Sequence, residues 1–161
     1  MKHILIIIIL FIYSISVYAW EWNGIKDKMT YENVTNILGK PINTESTTDK
    51  SEYSSLEYVN ATYSYQGYVL SVTFFRTHEV TEMLGIEIYD SSLPFTVTAL
   101  TILPGINNLT NSDIHTQFGN PKKVGRHNKL GLREEYSDGA IVDYSSTDDS
   151  TVLEIRYGYL K

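Results

Sequence analysis

The sequence predicts an α+β fold in which two tandem helix-plus-antiparallel-meander repeats share one curved sheet, with the helices on one face. Residues 29–41 (MTYENVTNILGKP) and 109–121 (LTNSDIHTQFGNP) follow nearly the same pattern. Strand-like runs rich in β-branched and aromatic residues follow each copy. Chance recurrence of a common helix ending is the alternative. The helix cap, the apolar spacing, the Gly-x-Pro ending and the strand signals recur in the same order in both copies, and this agreement favours a repeat.

Residues 1–19 are predicted to form a secretory signal peptide. Lys2 gives a basic start, a nearly continuous apolar stretch follows, and Val17 and Ala19 supply the small side chains of a cleavage site. An uncleaved anchor is the alternative, but the apolar run is shorter than the about 20 residues that span a bilayer. Cleavage would leave 142 residues, periplasmic or secreted, with no stable membrane anchor and enough chain for one core.

Each of the two similar segments has the start and stop signals of a short helix. Thr30 and Thr110 are suited to cap the helices through their hydroxyls, and Asp113 completes a capping-box pattern in the second copy. Gly39 and Gly119 follow the apolar positions, and a proline comes two residues later in both copies. We therefore predict two helices of about nine residues.

Predicted strands follow both helices. Residues 43–52 are read as a polar loop, and residues 95–102 as an extra linking strand. The other predicted strands span residues 53–59, 63–66, 68–75 and 83–89 in the first half, and residues 122–125, 130–136, 140–145 and 151–157 in the second. The predicted organisation is a signal peptide over 1–19, repeat 1 over 20–89, a linker over 90–104 and repeat 2 over 105–161.

Composition excludes several kinds of partner and chemistry. The net charge of −6 argues against nucleic acid as a partner. The chain contains no cysteine, which excludes disulfides, a thiol nucleophile and thiolate metal ligands. Packing alone must therefore hold the fold. The expected core consists of Val34, Leu38, Leu70, Val72, Phe74, Ile86, Ile88, Ile114, Phe118, Leu153 and Ile155.

The pattern K-M-T-x-x-x-V-x-x-I-L-G-K-P at residues 28–41 resembles the opening of the SmpA/OmlA (BamE-type) outer-membrane assembly lipoproteins. The tandem arrangement resembles the β-lactamase inhibitory protein fold, whose two helix-plus-four-strand repeats form one curved sheet. The resemblance covers both halves of the chain after residue 19. It implies a protein that binds other proteins without carrying out chemistry.

No motif for catalysis or metal binding stands out. His78, His115 and His127 lack zinc-ligand spacing and are interpreted as surface residues. The aspartates lack the EF-hand pattern and are interpreted as solvated turn residues: Asp138, Asp143, Asp148 and Asp149. Adjacent strand residues point to opposite faces, so Glu134 and Glu135 are not expected to form an acid–base pair. We expect no cofactor, no metal and no catalytic residue. A hydrolase whose site is assembled from residues distant in sequence is the alternative.

Tyrosine is the notable composition signal, with thirteen in the chain. Tyr63 and Tyr65 share one strand face, and we expect them to form an aromatic strip on an open sheet face. Simple coverage of a sheet is the alternative, because tyrosine is a good strand former. The candidate partner-binding residues are Tyr58, Tyr63, Tyr65, Phe75, Tyr89 and Tyr144.

These observations favour a non-enzymatic exported module that binds another protein. Within this class, roles in envelope assembly, in enzyme inhibition and in immunity to a toxin stay open. A module that binds a small molecule or lipid in a pocket between helices and sheet is the alternative.

Overall fold

The described part of the chain forms one eight-stranded antiparallel sheet with two short helices. The computed structural model describes residues 20–50, 54–83, 86–89, 93–127 and 131–158. The predicted fold class, an α+β fold of two tandem helix-plus-meander repeats, is wrong. The structure is mostly β, and its strands do not divide into the two predicted sets. The predicted signal peptide lies outside the described residues.

The two helices are those that the capping signals predict. Helix α1 is Tyr31–Leu38 and helix α2 is Asn111–Phe118. The Thr30 hydroxyl accepts a hydrogen bond from the Asn33 amide, and Thr110 forms a full capping box with Asp113. Neither helix, nor any other helix in the part of the chain described, is long and apolar enough to span a membrane.

The sheet is built mainly from hairpins. Its strands are β3 (Asn43–Lys50), β4 (Ser54–Tyr65), β5 (Tyr68–Met83), β7 (Thr96–Leu103), β8 (Lys123–His127), β9 (Gly131–Glu135), β10 (Ile141–Tyr144) and β11 (Val152–Tyr157). Their order across the sheet is β3-β4-β5-β7-β11-β10-β9-β8. A further strand, β6 (Ile86–Tyr89), pairs with the far end of β5. Two-residue strands β1 (Glu21–Trp22) and β2 (Ile25–Lys26) form a separate hairpin.

The strand predictions fail mainly in the first half of the chain. The polar stretch read as a loop is β3, and two predicted strands are one twelve-residue strand, β4. The proposed linking strand is β7, which lies between β5 and β11 near the middle of the sheet. In the second half, β8 to β11 lie within two residues of their predicted bounds.

Both helices and the β1–β2 hairpin pack on the same side of the sheet. Tyr31 of α1 contacts Phe74 with ring centroids 4.9 Å apart, and His115 of α2 bonds Glu134 of β9. Trp20 stacks on Tyr157 with ring centroids 5.3 Å apart. We call this side of the sheet the helix-side face. Burial of large apolar side chains there supplies most of the packing that the cysteine-free chain needs.

Most of the predicted core is confirmed. Seven of its members are buried between the helices and the helix-side face: Val34, Leu38, Leu70, Val72, Phe74, Ile114 and Ile155. Phe118 is partly buried and packs against them. Leu153 is 39% exposed, so its assignment to the core is wrong. The side chains of Ile86 and Ile88 lie outside the described residues.

Candidate functional site

The face opposite the helices carries no described helix or hairpin, and we call it the uncovered face. Successive residues of a strand point to opposite faces of the sheet. The uncovered face is therefore formed by the strand residues that alternate with the buried core residues, and these residues lie opposite one another on neighbouring strands. They include Tyr58, Asn60, Ser71, Thr73, Phe75, Ala99, Thr101, Arg133 and Glu135. All of them are partly or fully exposed. The centre of the face is therefore a strip of small side chains, most of them polar.

An aromatic pair lies at one end of the uncovered face. Tyr58 and Phe75 are opposite each other on β4 and β5, with ring centroids 5.4 Å apart. Beside them is a hollow of about 240 Å³ lined by Phe75, Arg76, Leu93, Pro94 and Thr96. Leu93 is 42% exposed. Aromatic and aliphatic surface beside an arginine is therefore open to solvent here.

The candidate binding residues divide between the two faces. Tyr58 and Phe75 lie partly exposed on the uncovered face. Tyr65 lies on the helix-side face against Trp22, at 6.3 Å between ring centroids. The expected aromatic strip of Tyr63 and Tyr65 on an open face is therefore wrong.

The other two tyrosines whose side chains are described lie in the core. Tyr63 and Tyr144 are fully buried. Burial raises the pKa of Tyr63, whose hydroxyl lies near Thr35 and Tyr31 without a hydrogen bond of good geometry. Tyr89 belongs to β6, and its side chain lies outside the described residues.

A buried carboxylate joins α2 to the sheet. Glu134 is 3% exposed, and its Oε2 accepts hydrogen bonds from the hydroxyls of Tyr136 at 2.7 Å and Tyr144 at 2.6 Å. Nε2 of His115 lies 3.1 Å from both carboxylate oxygens. Since a carboxylate only accepts, we assign the proton of this bond to His115 Nε2. The cluster ties a helix side chain to two strands.

The titration of the Glu134 cluster follows from these contacts. Burial by itself raises the pKa of Glu134, but the hydrogen bonds from Tyr136, Tyr144 and His115 outweigh it and leave the pKa below its usual value. Burial and the same carboxylate raise the pKa values of both tyrosines. Glu134 is thus an anion held by donors and shielded from solvent. This arrangement suits the anchoring of α2 better than contact with a substrate.

Replacing Tyr144 with phenylalanine is expected to lower the free energy of unfolding by about 1.5–3 kcal/mol at neutral pH, because a hydrogen bond to a buried charge is lost. A carboxyl whose folded pKa is lowered contributes stability above its unfolded pKa, and the contribution is lost as the pH falls through the folded value. The deficit of the variant should therefore shrink in acid. Urea unfolding at neutral and acidic pH measures it, and a deficit unchanged by acid would contradict the assignment.

A second buried carboxylate lies on the uncovered face, beneath the side chain of Arg133. Asp143 is fully buried and is bound by two arginines. Nε of Arg133 is 2.6 Å from Oδ1 and its Nη2 is 3.1 Å from Oδ2, while Arg156 also bonds Oδ2. Arg156 Nε lies 3.1 Å from Glu154 Oε1. The prediction that Asp143 is a solvated turn residue is therefore wrong.

The other three aspartates of the proposed turn group are turn residues. Asp148 accepts hydrogen bonds from the Thr151 and Ser150 amides, which lower its pKa to about 2. Asp138 accepts from the Ala140 amide at 3.0 Å, and Asp149 pairs with Arg126. Within the ranges described, no group of three or more His, Cys, Asp or Glu side chains is placed to hold a metal ion.

The histidines take different positions. His115 contacts the buried Glu134, and its side chain is 38% exposed. His127 is exposed at the end of β8, and the side chain of His78 lies outside the described residues. The two buried carboxylates are the important residues that sequence reasoning missed. Strand alternation gave one signal of a buried carboxylate, because either Glu134 or Glu135 had to point to the helix-side face.

Comparisons with protein-family models, with curated proteins and with solved structures find no match to this chain. The surface geometry and the sequence are therefore what support a functional assignment.

Proposed function

We propose that this chain is a non-enzymatic exported protein that binds another protein through the uncovered face of its sheet. The observation that carries the proposal is the partly exposed pair of Tyr58 and Phe75 beside the 240 Å³ hollow. Tyrosine and arginine are enriched among the residues that dominate binding energy at protein interfaces. We infer that the occupant of the hollow is an apolar side chain of the partner.

The two buried carboxylates favour binding over catalysis. Glu134 is occupied by two tyrosines and a histidine, and Asp143 by two arginines. A general acid or base must reach the substrate, directly or through one water molecule. These groups instead hold the sheet and α2 in place. The export part of the proposal rests on residues 1–19, and the resemblance of residues 28–41 to assembly lipoproteins agrees with it.

Double replacement of Tyr58 and Phe75 by serine is expected to weaken partner binding by about thirtyfold or more, as loss of a central aromatic anchor does. The exported protein serves as bait for envelope extract, and the captured partner is then purified for titration. The matched control is Ile106→Ser, because Ile106 is 85% exposed and lies beside Gly67, just before β5 begins and away from Phe75.

The measurement separates three outcomes. Loss of binding in the double variant with retention in Ile106→Ser supports the uncovered face. Equal binding by all three proteins contradicts it. A co-purifying small molecule, seen by native mass spectrometry in the absence of a protein partner, would instead support the ligand-binding alternative.

A further inference from the structure

The outer strand β8 differs in charge from the rest of the chain. Residues 122–129 (KKVGRHNK) contain four of the thirteen lysines and arginines and no acidic residue, although the chain carries a net charge of −6. All five residues of β8 are exposed. We call Lys123, Arg126 and His127 the basic edge.

The backbone of β8 can accept another strand. In the ranges that the structure describes, β8 pairs with β9 alone and ends the sheet. A strand in this position bonds its neighbour along one side, so amide and carbonyl groups on the other side are open to a further strand. Gly125 has no atoms near the position where a side chain would begin, which leaves the middle of this strand accessible.

A hollow of about 290 Å³ adjoins the basic edge. It is lined by Lys123, Gly125, Arg126, His127, Arg133 and Glu135. Lys123 Nζ lies 2.9 Å from Glu135, and the side chains of Lys123 and Arg126 are each 69% exposed. Exposed ion pairs contribute little to stability, so these cations can exchange their partners for a ligand carboxylate at small cost.

We propose that β8 binds an extended acidic segment of a partner protein by strand addition. The backbone of the segment pairs with β8, and acidic side chains at alternate positions reach the hollow, because strand side chains alternate between faces. The open strand edge favours a peptide over a polyphosphate or nucleic acid, because only a peptide has backbone amides that can pair with β8. A second copy of β8 would place lysine and arginine opposite like charges. The inference rests on the proposed protein-binding function and names a partner class for the β8 edge of the uncovered face, across the sheet from Tyr58 and Phe75.

The test expresses the full-length chain, purifies the protein after export, and titrates synthetic peptides into it. The probe is a peptide of alternating glutamate and valine, and the charge control replaces every glutamate with lysine. A third peptide keeps the glutamates but carries N-methyl groups on alternate amides, which block strand pairing. We expect binding of the first peptide alone, and a loss of about tenfold in the Lys123→Gln/Arg126→Gln variant. Lys40→Gln, an exposed lysine beyond α1, is the matched control.

Several outcomes would overturn the inference. Equal binding of the N-methylated peptide would show charge attraction without strand addition, and equal binding of a DNA oligonucleotide would show a general anion site. Absence of peptide binding, or self-association through β8, would also reject it. None of these results depends on Tyr58 or Phe75, so failure here is distinguishable from failure of the uncovered face as a binding site.

Discussion

Replacement of Asp143 with alanine is expected to lower the free energy of unfolding by about 3–5 kcal/mol, because removal of one partner from a buried ion pair leaves an uncompensated charge. Arg156 is 9% exposed and Arg133 also bonds the lost carboxylate. For a chain of this size the loss corresponds to a fall of about 10 °C in melting temperature. Urea unfolding at neutral pH, combined with a thermal melt, measures both quantities.

The control for this prediction is a second carboxylate that contacts Arg156. Glu154 contacts Arg156, but its side chain is 25% exposed, so Glu154→Ala is expected to cost less than about 1 kcal/mol. Joint replacement of Asp143, Arg133 and Arg156 by apolar residues of similar volume should recover much of the loss. An Asp143→Ala protein as stable as Glu154→Ala would show that the carboxylate is dispensable.

Replacement of Tyr63 with serine is expected to cost about 3–5 kcal/mol, because a fully buried aromatic ring is removed and its volume is only partly refilled. Tyr63→Phe should cost less than about 1 kcal/mol, because the hydroxyl makes no hydrogen bond of good geometry. Guanidinium unfolding of both variants measures the difference.

Tyr58→Ser provides the comparison on the other face. It removes a partly exposed ring and its contact with Phe75, and a cost of about 1 kcal/mol is expected. If Tyr63→Ser and Tyr58→Ser lost the same free energy, the assignment of Tyr63 to the core and Tyr58 to the surface would be wrong.

The sequence predicts both helices because their signals are local. Thr30 and Gly39 determine where α1 begins and ends through hydrogen bonds within a few residues. The strand β3 was missed because all of its described side chains are exposed, so it shows no alternation of apolar and polar residues. A polar outer strand and a polar loop are alike in sequence.

The candidate site depends on pairing that the sequence does not contain. Tyr63 lies opposite Leu70, which places it on the helix-side face, whereas Tyr58 lies opposite Phe75 on the uncovered face. Alternation along a single strand separates these faces but does not say which is covered. The two arginines around Asp143 come from two different strands, and their meeting depends on the register of three strands.

The joint between β7 and β11 bears on how the chain folds. Five other ladders of the sheet join strands that follow one another directly along the chain, so their contacts form by closing short loops. The β7–β11 ladder pairs Leu100 with Tyr157 and Ile102 with Ile155, across more than fifty residues. The largest cost in loop-closure entropy therefore falls on this ladder, and we expect it to form after the hairpins on either side of it. A nascent chain therefore exposes the free edge of β7 until β11 has been synthesised.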